Sequence, residues 1–168
     1  CFPIYASLDN NPSPGNKRGG LTTILEKSLG AVAKSGTSVM TDVLSYAEPL
    51  KKKGFNYMDS PGYDPVSVTG QVASGSNVIC FTTGRGSCFG FKPSPSLKIA
   101  TNTNMYNNLE EDMDINAGSI MDGESDVTKI GTDIFEMIID TASGKPSKSE
   151  INEYGDDEFN PWVIGATV

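Results

Sequence analysis

The chain has 168 residues, 37% hydrophobic and 20% charged, which suits one globular domain and excludes both a disordered segment and a membrane-embedded one. Thirteen Lys plus Arg against 21 Asp plus Glu leave a net charge of -8, which repels a phosphate backbone and argues against a nucleic-acid partner. There is no His, so the commonest general base and metal ligand are missing, and Cys1, Cys80 and Cys88 form neither a disulfide framework nor a C-x-x-C zinc spacing, as expected of a cytoplasmic protein.

The chain begins at Cys1 without a Met or a secretory pattern, and residues 2–6 read as a strand already under way, which predicts a truncated or processed N-terminus. Residues 9–20 collect Asn, Pro, Ser and Gly in a polar loop. A helix follows near Thr23: Thr23 and Glu26 make the T-x-x-E capping pattern, and Leu21, Ile24 or Leu25, Leu29 and Val32 recur at helical spacing. Residues 39–44 and 55–58 read as short strands on either side of the polar turn Lys51, Lys52, Lys53, Gly54. Asp64 as cap and Pro65 at the first helical position start a second helix that runs to about Ala73.

Residues 78–83 form the clearest buried strand, with Cys80 read as core, and residues 97–100 the next. Residues 127–142 form the clearest helix, with Val127, Ile130, Ile134, Met137, Ile138 and Ala142 on one face, stopped by Gly144. Residues 145–157 read as surface loop before Phe159, Trp162 and Val163 return to the core. Strands alternating with helices predict an α/β fold, a mostly parallel sheet with helices on both faces.

Two glycine-bearing segments hold the residue types that chemistry needs. Thr82, Thr83, Gly84, Arg85, Gly86 and Ser87 stand directly after a buried strand, where open α/β sheets place their ligands. Backbone N–H groups, hydroxyls and a guanidinium there suit a carboxylate or a phosphate. The competing reading is a glycine turn with Arg85 in a surface ion pair. Gly84, Gly86 and Gly90 miss the dinucleotide-binding spacing by one residue, and residues 91–95 cannot supply its helix.

The second segment, Gly19 and Gly20 leading to Glu26, Lys27 and Ser28, is a loop entering a helix N-terminus, for which ordinary capping is the competing reading. Asp112, Asp114 and Asn116 offer oxygen ligands for a hard divalent cation, or form an acidic surface run. Cys88 beside the glycine loop is the more accessible thiol, although it has no His partner.

Taken together, Gly19-Gly-Leu-Thr-Thr-Ile, Glu26-Lys-Ser-Leu-Gly30, Lys52-Lys-Gly-Phe, Ser60-Pro-Gly-Tyr-Asp64, Phe81-Thr-Thr-Gly-Arg-Gly86, Ala100-Thr-Asn-Thr and Phe159-Asn-Pro-Trp-Val-Ile-Gly165 resemble the C-terminal part of the altronate/galactarate dehydratase family over almost the whole chain. The resemblance implies a Rossmann-like fold with an unusual crossover. It also implies a lyase that removes water from an aldonic or aldaric acid to give a 2-keto-3-deoxy acid with a divalent metal, typically iron, manganese and magnesium being compatible.

On that resemblance, Thr82, Thr83, Gly84, Arg85, Gly86 and Asn116 hold the sugar acid, and Glu26, Asp64 and Asp114 bind the metal. Lys27 and Glu26 supply acid-base chemistry. The expected partners are the small substrate, the missing N-terminal part of the same enzyme and a second copy in a homodimer, with no membrane. The fragment alone is expected to be inactive. The alternatives are a related lyase that eliminates sulfite from a sulfolactate-like acid and a non-catalytic module that binds a sugar acid or phosphate.

Overall fold

The computed structural model describes residues 11–162. The strand expected at residues 2–6 and the return of Val163 to the core lie outside these residues. The chain divides into two compact units.

The first unit holds the described residues up to Val43 together with residues 52–57. It begins with α1 (Pro14–Arg18), a single turn inside the expected loop, capped by Ser13 and Asn16 in a reciprocal box. Then comes α2 (Ile24–Lys34), with Thr23 as its N-cap. The Glu26 N–H donates to Thr23 Oγ1 at 3.1 Å, but the Glu26 carboxylate turns instead to Thr22. The expected capping box is therefore half formed. Leu25, Leu29 and Val32 are exposed rather than packed.

Strands β1 (Met40–Leu44) and β2 (Phe55–Met58) pair in a two-stranded sheet, as their β-branched and aromatic content predicts. Gly54, at φ 111°, makes the turn into β2 and lies against the side chain of Thr41. Lys52 reaches the Asp42 carboxylate at 3.3 Å.

The second unit carries a parallel three-stranded sheet of order β3-β4-β5, formed by β3 (Ile79–Thr83), β4 (Ser96–Ala100) and β5 (Ile115–Asn116). Mixed α/β architecture is thus what the alternating pattern predicted. Ahead of the sheet runs α3 (Asp64–Ala73), where Tyr63 is the N-cap position and Asp64 the first helical residue. The Asp64 side chain makes no capping bond, which corrects the expected start by one residue.

No helix joins β3 to β4. Glycines at 86 and 90 and prolines at 93 and 95 forbid one, and the link drives Phe89 and Phe91 into a core with Val68 and Ile79. Phe89 stacks on Phe81 with centroids 5.3 Å apart. Between β4 and β5 lies α4 (Thr103–Asn108), whose Met105 packs with Ala100 and Met113.

Central β4 is buried along its whole length, which requires cover on both of its faces, whereas edge strand β3 alternates. That alternation leaves Cys80 exposed, against its reading as core. Helix α5 (Val127–Ala142) has the predicted bounds, with Asp126 as N-cap. Ile130 is buried and Ile134, Met137 and Ile138 are half-buried, but Val127 and Ala142 face out and Thr141 takes the last inward position. The expected loop at residues 145–157 contains α6 (Lys148–Ile151), with Ser147 and Ser149 buried and the Ser149 hydroxyl donating to the Ser96 carbonyl at 2.8 Å.

Candidate anion-binding site at the strand ends

Parallel pairing brings the carboxyl ends of β3, β4 and β5 to one edge of the sheet, since Thr83 pairs with Ala100 and Ala100 with Asn116. The three loops leaving that edge are tied to one another. The Thr83 carbonyl accepts from the Thr101 N–H at 3.0 Å and its hydroxyl at 3.1 Å. Asn102 caps α4 through Oδ1, which accepts from the Met105 N–H at 2.8 Å, while its Nδ2 donates to the Gly84 carbonyl at 2.8 Å. One asparagine thus starts the helix and pins the glycine loop.

Inside the loop, the N–H groups of Arg85 and Gly86 donate to Thr83 Oγ1 at 3.3 and 3.2 Å, and the Phe89 N–H donates to Ser87 Oγ at 3.0 Å. The expected cradle of free backbone donors is therefore corrected: these amides close the turn on its own hydroxyls. Gly86 has φ 91°, a conformation that L side chains rarely adopt, so the bend calls for glycine; an added Cβ would also meet Cδ1 of Leu109, a side-chain tip that can turn aside. What faces solvent is Thr82 and the guanidinium of Arg85. Among the described residues, nothing hydrogen-bonds or ion-pairs with that guanidinium, so the surface ion pair that would make it ordinary is not formed.

Asn116 ends β5, across β4 from β3 at the same edge. Its Oδ1 accepts from the Gly118 N–H at 3.0 Å and its Nδ2 donates to Thr103 Oγ1 at 3.0 Å. Thr103 in turn donates to Asp122.

Asp114, one of the three expected metal ligands, has another task. Its Oδ2 accepts from the Lys98 N–H at 2.7 Å and its Oδ1 from the Lys148 N–H at 2.9 Å, so it ties β4 to α6. Asp64 sits at the start of α3, where burial raises its pKa. Asp112 is not part of a solvated acidic run either: its Oδ1 is buried, 3.8 Å from Lys98 Nζ, and neither atom has a hydrogen-bond partner among the described residues.

Lys98 has no exposed side-chain area, stands over the Tyr154 ring at 5.0 Å, and has its pKa lowered chiefly by burial, against the opposing pull of Asp112 and Asp114. Sequence reasoning missed it, although a lysine in the middle of an apolar strand was a visible signal.

Glu26 and Lys27 belong to the first unit. The Glu26 carboxylate accepts from the Thr22 hydroxyl at 2.6 Å and the Thr22 N–H at 2.8 Å, and these bonds, the hydroxyl's first, hold its pKa below the usual carboxylate range. Lys27 is exposed and donates to Asn11 Oδ1 at 3.0 Å. The dry surroundings that a lysine base needs are not found around it among the described residues.

Among the described residues, no three His, Cys, Asp or Glu side chains come together as a metal-holding group. Asp114 already accepts from two backbone N–H groups, and Glu26 belongs to the other unit. No helix of the described residues is long and apolar enough to cross a membrane.

A parallel sheet whose strand-end loops present an unpaired guanidinium among threonines and asparagines defines an α/β domain with one candidate place for a small anion. Residues 4–167 match the family model described as D-galactarate/altronate dehydratase, C-terminal, and the chain belongs to that family. It is 48% identical over 135 residues to galactarate dehydratase (L-threo-forming) of Escherichia coli, which covers 80% of this chain and 26% of that protein. It is 39% identical over 152 residues to altronate dehydratase of Bacillus subtilis, covering 90% of this chain and 30% of that protein. It is also 33% identical over 143 residues to the (2R)-sulfolactate sulfo-lyase subunit beta of Chromohalobacter salexigens, covering 84% of this chain and 37% of that protein. The chain thus spans between about a quarter and two fifths of the relatives it matches.

Proposed function

We propose that this chain forms the substrate-carboxylate end of a hydro-lyase that dehydrates an aldonate or aldarate to a 2-keto-3-deoxy acid. The observation that carries the reading is the unpaired Arg85 guanidinium at the strand-end edge, in a chain that belongs to the sugar-acid dehydratase family.

Removing the proton next to a carboxylate places a second negative charge on its oxygens, and fixed cationic or hydroxyl donors lower the cost of that charge. Arg85 meets the carboxylate through two parallel N–H groups, and the exposed Thr82 hydroxyl adds a neutral donor. Asn102 and Thr83 hold the loop backbone, so that only the side chains of Arg85 and Thr82 have to be ordered when substrate arrives. The acid-base roles of Lys27 and Glu26, and a metal role for Glu26 and Asp64, rest on the resemblance alone.

The test is turnover by the full-length gene product on galactarate, altronate and (2R)-sulfolactate, with the products identified. Formation of a 2-keto-3-deoxy acid that falls when Arg85 is replaced by alanine supports the reading. Release of sulfite from sulfolactate, with the sugar acids untouched, supports the sulfo-lyase instead. Binding of a sugar acid without any turnover supports a binding module.

A further inference from the structure

The strand-end edge carries a second unpaired charge of the opposite sign. Thr103 stands at the first position of α4 and Asp122 lies in the turns after the short 3-10 helix Ala117–Ile120. A threonine hydroxyl has one hydrogen to give. Asn116 Nδ2 donates to Thr103 Oγ1 at 3.0 Å, with Asn116 Oδ1 farther away at 3.3 Å, and a carboxylate oxygen can only accept, so the Thr103 hydrogen goes to Asp122 Oδ2.

Asp122 Oδ1 is left exposed, with no hydrogen-bond or ion-pair partner among the described residues. The arrangement is built closely. A Cβ at Gly118 would fall inside contact distance of the backbone of Asn102 and Thr103, so only glycine lets this turn lie on the start of α4. The same Asn102 pins the loop of Arg85 through Gly84, so both charged groups are anchored on one network.

A guanidinium for a carboxylate and an oriented carboxylate oxygen for a hydroxyl are the two contacts that a polyhydroxy acid needs. We infer that Asp122, aimed by Thr103 and Asn116, accepts a hydrogen bond from a substrate hydroxyl away from the two reacting carbons and so determines which sugar acid is used. The inference rests on the hydro-lyase reading above and names a specificity residue for it. An ionised carboxylate bonded to a hydroxyl rejects a substrate lacking that hydroxyl, because the bond is lost while the charge is still partly desolvated.

The experiment compares the full-length wild type with Asp122→Asn and Asp122→Ala on galactarate and altronate. For whichever is turned over, it adds the analogues lacking one hydroxyl at carbon 4 or beyond. The wild type should lose about tenfold or more in kcat/KM on one analogue, the scale of one hydrogen bond to a charged group.

In Asp122→Ala, that analogue and the parent acid should come within about threefold of each other, with Asp122→Asn between. Asn keeps an oxygen for the Thr103 hydroxyl, so it separates loss of the charge from loss of the fold. If both variants slow every substrate by the same factor, Asp122 only fastens the turn and the inference is overturned while the hydro-lyase reading stands. If the wild type dehydrates no sugar acid, the reading fails and takes this inference with it.

Discussion

Replacing Gly118 by alanine places one methyl group against main chain rather than side chain. The nearest atoms are the Thr103 nitrogen and the Asn102 Cα and carbonyl carbon, all at the capped start of α4, and none can rotate away as a side-chain tip could. Overpacking a well-packed site costs about 1–3 kcal/mol, and an obstacle made of backbone belongs at the upper end of that range. Displacing the turn also lengthens the 3.0 Å bond from the Gly118 N–H to Asn116 Oδ1, which adds about 1 kcal/mol.

The expected loss is therefore about 3–4 kcal/mol, a large share of the stability of an ordinary domain. It is measured by urea unfolding of variant and wild type side by side. Gly131→Ala is the internal control, because the added methyl meets nothing within 4 Å in the interior of α5. That control should gain about 0.5–1 kcal/mol from helix propensity alone. A Gly118→Ala variant within about 0.5 kcal/mol of wild type would refute the claim that the β5 turn sits directly on the α4 N-terminus.

Three further outcomes follow from the same geometry. Asp114→Ala removes a carboxylate that accepts from two backbone N–H groups, leaving both without their charged acceptor, and should cost about 3 kcal/mol in the same unfolding assay. Lys98 titrates below its ordinary value in the fold, so between its folded and unfolded pKa the unfolded chain holds more protons and stability rises with pH; below that window the penalty is fully present. Lys98→Met should abolish this increment, seen as a flatter stability curve from neutral to alkaline pH than in wild type. Arg85→Ala leaves no ion pair broken among the described residues and should change unfolding stability by less than about 0.5 kcal/mol.

Local signals served the fold well wherever a short segment decided its own conformation. Thr23 caps α2, the apolar spacing through Ile130 and Ile134 marks α5, and the apolar run into Thr83 is a strand. They failed where the partner decides. Cys80 looked like core because its neighbours are apolar, yet the edge position of β3 leaves its face uncovered.

Residues 145–157 looked like loop because Ser, Lys and Glu dominate, yet Ser147 and Ser149 are buried as bonding groups rather than as apolar ones. In the candidate site, Arg85 was visible from its glycine neighbours. Asp122, by contrast, carries no local signal, because only Thr103, nineteen residues earlier, gives it a direction. Asp114 matched an oxygen-ligand pattern, and only the register of β4 against α6 reveals that it ties two backbone amides together.

The most direct test of the account is titration calorimetry of the full-length protein with galactarate and with altronate, wild type against Arg85→Ala. A charge-assisted, two-pronged contact with a carboxylate predicts that at least one acid binds about ten- to a hundredfold more weakly to the variant, with folding unchanged. Equal affinity of the two proteins for both acids would contradict the assignment of the strand-end loop as the place where the carboxylate is held.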